Sequence, residues 1–207
     1  MFEDKAESES QPMPTTMPQL VLAFPATSGA SADPLIEAVI EKWGDQGPTV
    51  HQVPLPPHET DATLLHLFEA GVANAGVAPE GLVIGGFSLG ARIAALACRR
   101  LRPAGFVAMG FPFHRRGEPR AQHGFDALRD VEARSLVLQG TRDSHGNREH
   151  VMGLTLPATV EVHWLEDGNH RWVPRQRSWR TPSSLVEEAA ETILAFVSES
   201  LLGAHDD

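Results

Sequence analysis

Three residue types that together perform nucleophilic acyl chemistry stand in this chain just after expected strands. Ser88 lies within Gly86-x-Ser88-x-Gly90, Asp143 ends Gln139-Gly140-Thr141-Arg142-Asp143, and His170 ends Glu166-Asp167-Gly168-Asn169-His170. A serine hydroxyl is a weak nucleophile until an imidazole takes its proton. The imidazole in turn needs a carboxylate on its other nitrogen to fix its tautomer. On this reading Ser88 is the nucleophile, His170 the base and then the acid toward the leaving group, and Asp143 the residue that orients His170. Gly86 and Gly90 omit the Cβ atoms that would crowd the sharp turn lifting the hydroxyl off a sheet. Asp167 is the alternative acid, but it stands three residues from His170 in an Asp-Gly turn, where aspartate commonly bonds its own backbone. Among ten histidines, His51 and His163 fall inside expected strands, and His58, His66, His145 and His150 on loops or helices less suited to the role. His114 and His123, in a long loop, stay open as pocket residues.

The elements that must position these residues alternate. Strands are expected at Gln19 to Phe24, Thr49 to Val53, Gly81 to Ile84, Gly105 to Met109, Arg134 to Gln139 and Thr159 to Leu165, from short apolar runs bounded by turn residues. Between them come helical patterns. One is capped by Asp33 with Pro34 at its first position, a second covers Glu59 to Ala75, a third Ala91 to Leu101, and a last begins near Pro182 with a capping box at Ser184-x-x-Glu187. Strands separated by helices imply right-handed crossovers, hence an α/β fold of about six mostly parallel strands with helices on both faces and no large lid. Ligands of such sheets bind beyond the carboxyl ends of the strands, beside the point where the strand order reverses. Residues 19–207 are expected to form this single domain, and residues 1–18, acidic and proline-containing without periodicity, a disordered tail.

Composition sets the class of partner. A net charge of −10 argues against nucleic acid and against an anionic membrane, while 42% hydrophobic content supports one sizeable core. Cys98, the single cysteine, falls among alanines on the third helix and reads as a buried, inert thiol. The apolar runs fall short of the ~20 residues of a spanning helix, and the first residues do not resemble a secretory signal. The expectation is a cytoplasmic protein acting on a small-molecule acyl substrate, with no metal and no organic cofactor. Its oligomeric state is left open.

Gly85 to Arg92, the Gln-Gly-Thr-Arg-Asp run, Phe111-Pro112-Phe113-His114 and Asp167-Gly168-Asn169-His170 with its following arginines resemble a small lidless group of α/β-hydrolase-like proteins. That group includes bacterial hydrolases, testis-expressed protein thirty and the third subunit of the nonspecific lethal complex. The resemblance runs from about Leu20 to Leu202 and maps Ser88, Asp143 and His170 onto the group's catalytic positions. The order serine, aspartate, histidine is that of α/β-hydrolases. It implies a serine esterase or thioesterase working through an acyl-serine intermediate; the alternative is a non-catalytic binding or scaffold protein on the same fold.

Two departures follow. Relatives carry a His-Gly-Ala-Gly-like loop where this chain has Phe24-Pro25-Ala26-Thr27-Ser28-Gly29. With no N–H on Pro25, the oxyanion donors expected are the amides of Leu89 and Ala26, with Thr27 the alternative to Ala26. Phe87 stands where relatives often have a basic residue and is expected to make the rim beside Ser88 apolar. The remaining pocket candidates are Thr27, His114, Arg115, Arg116, Arg175 and Arg177. With Arg120, Arg171 and Arg180, these arginines either form an anion-recognition rim or brace the loops through acidic neighbours, with Trp172 and Trp179 packed beneath.

Overall fold

The computed structural model describes residues 18–26, 30–118 and 123–203. The described strands are β1 (Gln19–Pro25), β2 (Thr49–Leu55), β3 (Leu82–Phe87), β4 (Gly105–Met109), β5 (Ser135–Gly140) and β6 (Val160–Leu165). The helices are α1 (Pro34–Trp43), α2 (Asp61–Asn74), α3 (Leu89–Leu101), α4 (His123–Arg129), α5 (Arg148–Met152) and α6 (Pro182–Gly203). The sheet order is β2-β1-β3-β4-β5-β6, and every neighbouring pair is parallel. The order reverses between β1 and β3, so the carboxyl end of β3 is the place where a ligand crevice opens.

Pleat alternation divides the core in two. Val21, Ala23, Leu82, Ile84, Phe106 and Ala108 face α2 and α3, while Leu20, Leu22, Val83, Val107 and Met109 face α1 and α6. β3, β4 and β5 are buried along their whole length, as strands covered on both faces must be. Asp33 caps α1 by accepting the Leu35 amide at 2.8 Å.

Several boundaries differ from expectation. β2 runs through Pro54 to Leu55, which an edge strand permits because its outer N–H positions have no ladder partner to lose. β3 continues past Ile84 to Phe87. α6 is capped by Thr181 rather than Ser184: the Ser184 amide donates to Thr181 Oγ1 and the Thr181 amide to Ser184 Oγ, each at 3.1 Å. Pro18 belongs to the sheet edge, its carbonyl accepting the Thr49 amide at 2.8 Å; the rest of the expected tail, residues 1–17, lies outside the described residues. Trp172 is buried as expected, whereas Trp179 is 78% exposed and packs against the Arg180 guanidinium. Among the described residues no large lid covers the carboxyl edge of the sheet, and no helix is long and apolar enough to cross a membrane.

Candidate active site

Ser88 occupies the single residue between β3 and α3, with φ +53° and ψ −119°, a conformation that costs an L-residue energy and is kept only where the surroundings enforce it. Its amide donates to the Met109 carbonyl at 3.0 Å, tying the turn to the end of β4. The surroundings explain the glycines. A Cβ on either Gly86 or Gly90 would be driven into the Ala23 carbonyl of β1, so only glycine lets α3 leave the sheet this close to its neighbour.

The turn aims the serine at His170. His170 Nε2 lies 2.9 Å from Ser88 Oγ, and His170 Nδ1 lies 2.8 Å from Asp143 Oδ2. Ser88, His170 and Asp143 therefore form one continuous hydrogen-bonded chain, contributed by the loops after β3, β6 and β5. Gly140 lets the last two loops meet: its Cα packs against the Gly168 and Asn169 carbonyls, where any side chain would collide.

Asp143 is 1% exposed and fully engaged. Its Oδ1 accepts the His145 amide at 2.8 Å, and its Oδ2 accepts Gln139 Nε2 at 3.0 Å besides His170. Gln139, wholly buried at the end of β5, also receives the Phe111 amide on Oε1 at 2.8 Å. In the sequence Gln139 is a strand end and the first residue of the Gln-Gly-Thr-Arg-Asp run with no role of its own, although a polar residue at the close of Leu136-Val137-Leu138 is itself a sign of a buried hydrogen-bonding task. Asp167 goes elsewhere, to the Arg175 amide and to the guanidinium groups of Arg175 and Arg142. Burial works to raise its pKa. Bonds from the Arg175 backbone, Ser178 and the Arg175 side chain outweigh this and hold the carboxyl below its ordinary range.

The His170 ring contacts two others, Phe87 at 5.1 Å and His145 at 4.5 Å between centroids. The sequence puts His145 among the histidines less suited to the role of base, yet it follows Asp143 by only two residues and so shares its loop. Burial, and next the neighbouring His170, lower the His145 pKa against the raising effects of the His114 carbonyl and Asp143. His150, beside His114 at 4.5 Å, is lowered by burial and by His114. Burial pushes the Cys98 thiol up, consistent with an inert cysteine.

A cavity of about 280 Å³ opens at Ser88. Leu89 and Arg92 of α3 form one side, the loop after β4 supplies Pro112, His114, Arg115 and Arg116, and Gly124 and His145 close it. Of the expected pocket residues, His114, Arg115 and Arg116 are in place. Phe87 is not: it is 1% exposed and packed in the α1/α6 core layer, because β3 extends to it and the pleat turns it to the same face as Val83. Arg175 and Arg177 line a separate groove with Glu166, Asp167 and Trp179, since Asp167 draws the Arg175 loop away from the nucleophile. Thr27, Arg120 and the side chain of His123 lie outside the described residues. Arg171 clamps Asp33 through both terminal nitrogens, at 3.3 and 3.2 Å, with its guanidinium 4.6 Å above the Phe87 ring.

The oxyanion expectation changes as well. Leu89 opens α3, so its amide has no intrahelical acceptor. The Ala26 amide donates to the Leu55 carbonyl at 2.8 Å, continuing the β1–β2 ladder, and is not available as the second donor. Among the described residues no group of three or more His, Cys, Asp or Glu side chains converges as metal ligands would.

A parallel sheet covered on both faces, with a strained serine turn at the reversal of strand order, defines the α/β-hydrolase fold. The alpha/beta hydrolase domain model matches residues 50–198, and the chain belongs to that family. Its structure is similar to the esterase domain of a Rhodothermus marinus protein, with TM-score 0.64 and 12% identity over 91% of this chain and 89% of that one. It is likewise similar to an alpha-beta serine hydrolase homologue from Coxiella burnetii, with TM-score 0.63 and 15% identity over 86% and 84% of the two chains. A lidless serine hydrolase from Xanthomonas campestris gives TM-score 0.60 and 18% identity over 89% and 86%. At these identities the likeness is one of fold. No curated protein matches the chain.

Proposed function

We propose that this protein is a serine hydrolase of esterase or thioesterase type, acting on a small or medium acyl substrate through an acyl-serine intermediate. The observation that carries the reading is the unbroken chain Ser88 Oγ to His170 Nε2 at 2.9 Å and His170 Nδ1 to Asp143 Oδ2 at 2.8 Å, anchored on a strained turn. In the first half-reaction His170 Nε2 takes the Ser88 proton as Oγ bonds to the substrate carbonyl carbon. The carbonyl oxygen becomes an oxyanion that the Leu89 amide is placed to meet. The tetrahedral centre then collapses, the bond to the leaving group breaks, and His170 returns its proton to that group. Water, deprotonated by His170, repeats the sequence on the acyl-serine and releases the acid. Asp143, bonded by the Gln139 side chain and the His145 amide, fixes the tautomer with the proton on Nδ1 and steadies the transient imidazolium.

The finer family assignment, to the lidless group with testis-expressed protein thirty, rests on the motif combination described above. The scaffold reading draws on one observation, the Ala26 amide committed to the sheet. A neutral fluorophosphonate separates the two readings: covalent labelling at Ser88, located by mass spectrometry and absent from Ser88→Ala, is expected of the hydrolase. A well-folded protein that stays unlabelled would be a scaffold.

A further inference from the structure

The cavity beside Ser88 carries a charge pattern that acyl transfer alone does not call for. Most arginines of the surrounding loops are neutralised: Arg171 by Asp33, Arg175 by Asp167, Arg180 by Glu188. Arg92, on the cavity wall, is held by Asp61. Arg115 and Arg116 differ. Both are exposed, both line the cavity with Ser88, and neither has a carboxylate within ion-pair distance among the described residues. In a chain with 27 acidic residues against 17 basic ones, acids to pair with them are plentiful, yet among the described residues none forms an ion pair with either.

The turn that presents them is held to the catalytic loops. The His114 amide donates to the His145 carbonyl at 3.2 Å, His114 Nδ1 bonds the Arg115 carbonyl at 2.8 Å, and the Glu118 amide closes the turn onto that same carbonyl at 2.9 Å. The backbone is thus fixed relative to Asp143 while the two side chains are left to reach. Burial and next His170 lower the pKa of His145, the neighbouring wall group, which leaves Arg115 and Arg116 as the standing cations of this wall.

Resting on the serine-hydrolase reading, we propose that the substrate is an ester or thioester bearing a carboxylate or phosphate, which Arg115 and Arg116 receive while Ser88 attacks the carbonyl. Guanidinium groups bind such planar or multi-oxygen anions through paired N–H donors, which an ammonium group does not offer. The cavity, about 280 Å³, lies at the small end of ligand clefts, so the anion and the scissile bond are separated by a short chain.

The test uses the full chain and matched aryl esters. In one arm the acyl chain ends in a carboxylate or in the corresponding carboxamide; in a second the carboxylate or carboxamide is carried by the leaving group; a third replaces carboxylate by phosphate. A preference for the anionic ester of roughly three- to tenfold in kcat/KM is expected in at least one arm, between the value of an exposed ion pair and that of a charge-assisted bond. That ratio should collapse toward one in Arg115→Gln/Arg116→Gln, shrink with added salt, and persist in Arg177→Gln, whose side chain lies in the other groove. Fluorophosphonate labelling of Ser88 in the double variant reports that the fold and nucleophile are intact. Labelling at Ser88 with no anionic preference in any arm overturns the inference and leaves the hydrolase reading standing. No labelling and no turnover on any ester overturns the reading beneath both.

Discussion

Ser88, His170 and Asp143 act as a unit if the hydrogen-bonded chain is what makes the serine nucleophilic. Ser88→Ala and His170→Ala are each expected to lower ester hydrolysis by about 10⁴-fold or more, and the double variant to be little worse than either. Steady-state kinetics on a neutral aryl ester checks this; losses that multiply would mean that the two residues work separately. Asp143→Asn should cost up to ~10⁴-fold by reversing the tautomer preference of His170. Asp167→Asn, which loosens Arg175 and Arg142 instead, should cost far less; a larger loss there would reassign the acid. These three positions were readable because each follows a strand at the edge where sheet enzymes gather their residues. The residues that hold them were less so. Gln139 acts through contacts with Phe111 and Gly146 that no local pattern reveals, and an apolar run that breaks at Ile84 conceals the longer β3 whose alternation turns the Phe87 ring inward.

The elbow and the α1 cap are the elements on which the site depends. Gly90→Ala drives a methyl group into the Ala23 carbonyl, and backbone cannot rotate away as a side chain would, so α3 must shift from β1. A destabilisation of about 1–3 kcal/mol is expected, read as a lower denaturant midpoint. It should be accompanied by slower Ser88 labelling, and an unchanged midpoint would mean that α3 has room the packing denies. The Arg171–Asp33 clamp joins the residue after His170 to the cap of α1, with Asp33 only 3% exposed. Because Arg171 is half exposed, solvent screens the pair, and a double-mutant cycle of Asp33→Asn with Arg171→Gln should show a coupling of about 0.5–1 kcal/mol. A coupling of zero would make the clamp incidental. The long helices and all six strands were evident in the sequence because each carries an apolar face or run. α4 and α5, seven and five residues long, were not, since so short a segment has too few turns to establish a period.

Across the whole molecule, the parallel sheet followed from alternation, but the charge distribution did not. Arg171, Arg175 and Arg180 brace loops while Arg115 and Arg116 line the cavity, a division that depends on where Asp33, Asp167 and Glu188 lie in space. The histidines are likewise gathered by folding: His114, His145 and His170 come from the loops after β4, β5 and β6, and His150 from the short helix α5. Burial holds His145 and His150 below the ordinary value of 6.5, so the folded protein resists a proton that the unfolded chain accepts. The unfolded state binds more protons in that interval, and stability therefore falls as pH drops below 6.5 until the folded-state pKa values are reached, with little effect above it. Each histidine can contribute a slope of at most about 1.4 kcal/mol per pH unit. Asp167 adds a second loss at much lower pH, because a depressed carboxyl stabilises above 3.8 and gives up that stability as pH falls through its folded value. Denaturant unfolding at pH 7.5, 6 and 5 is expected to show the first decline in the wild-type protein and a shallower one in His145→Gln/His150→Gln, which has nothing to titrate at those positions. An identical decline in both would place the acid-sensitive charge outside the histidine cluster.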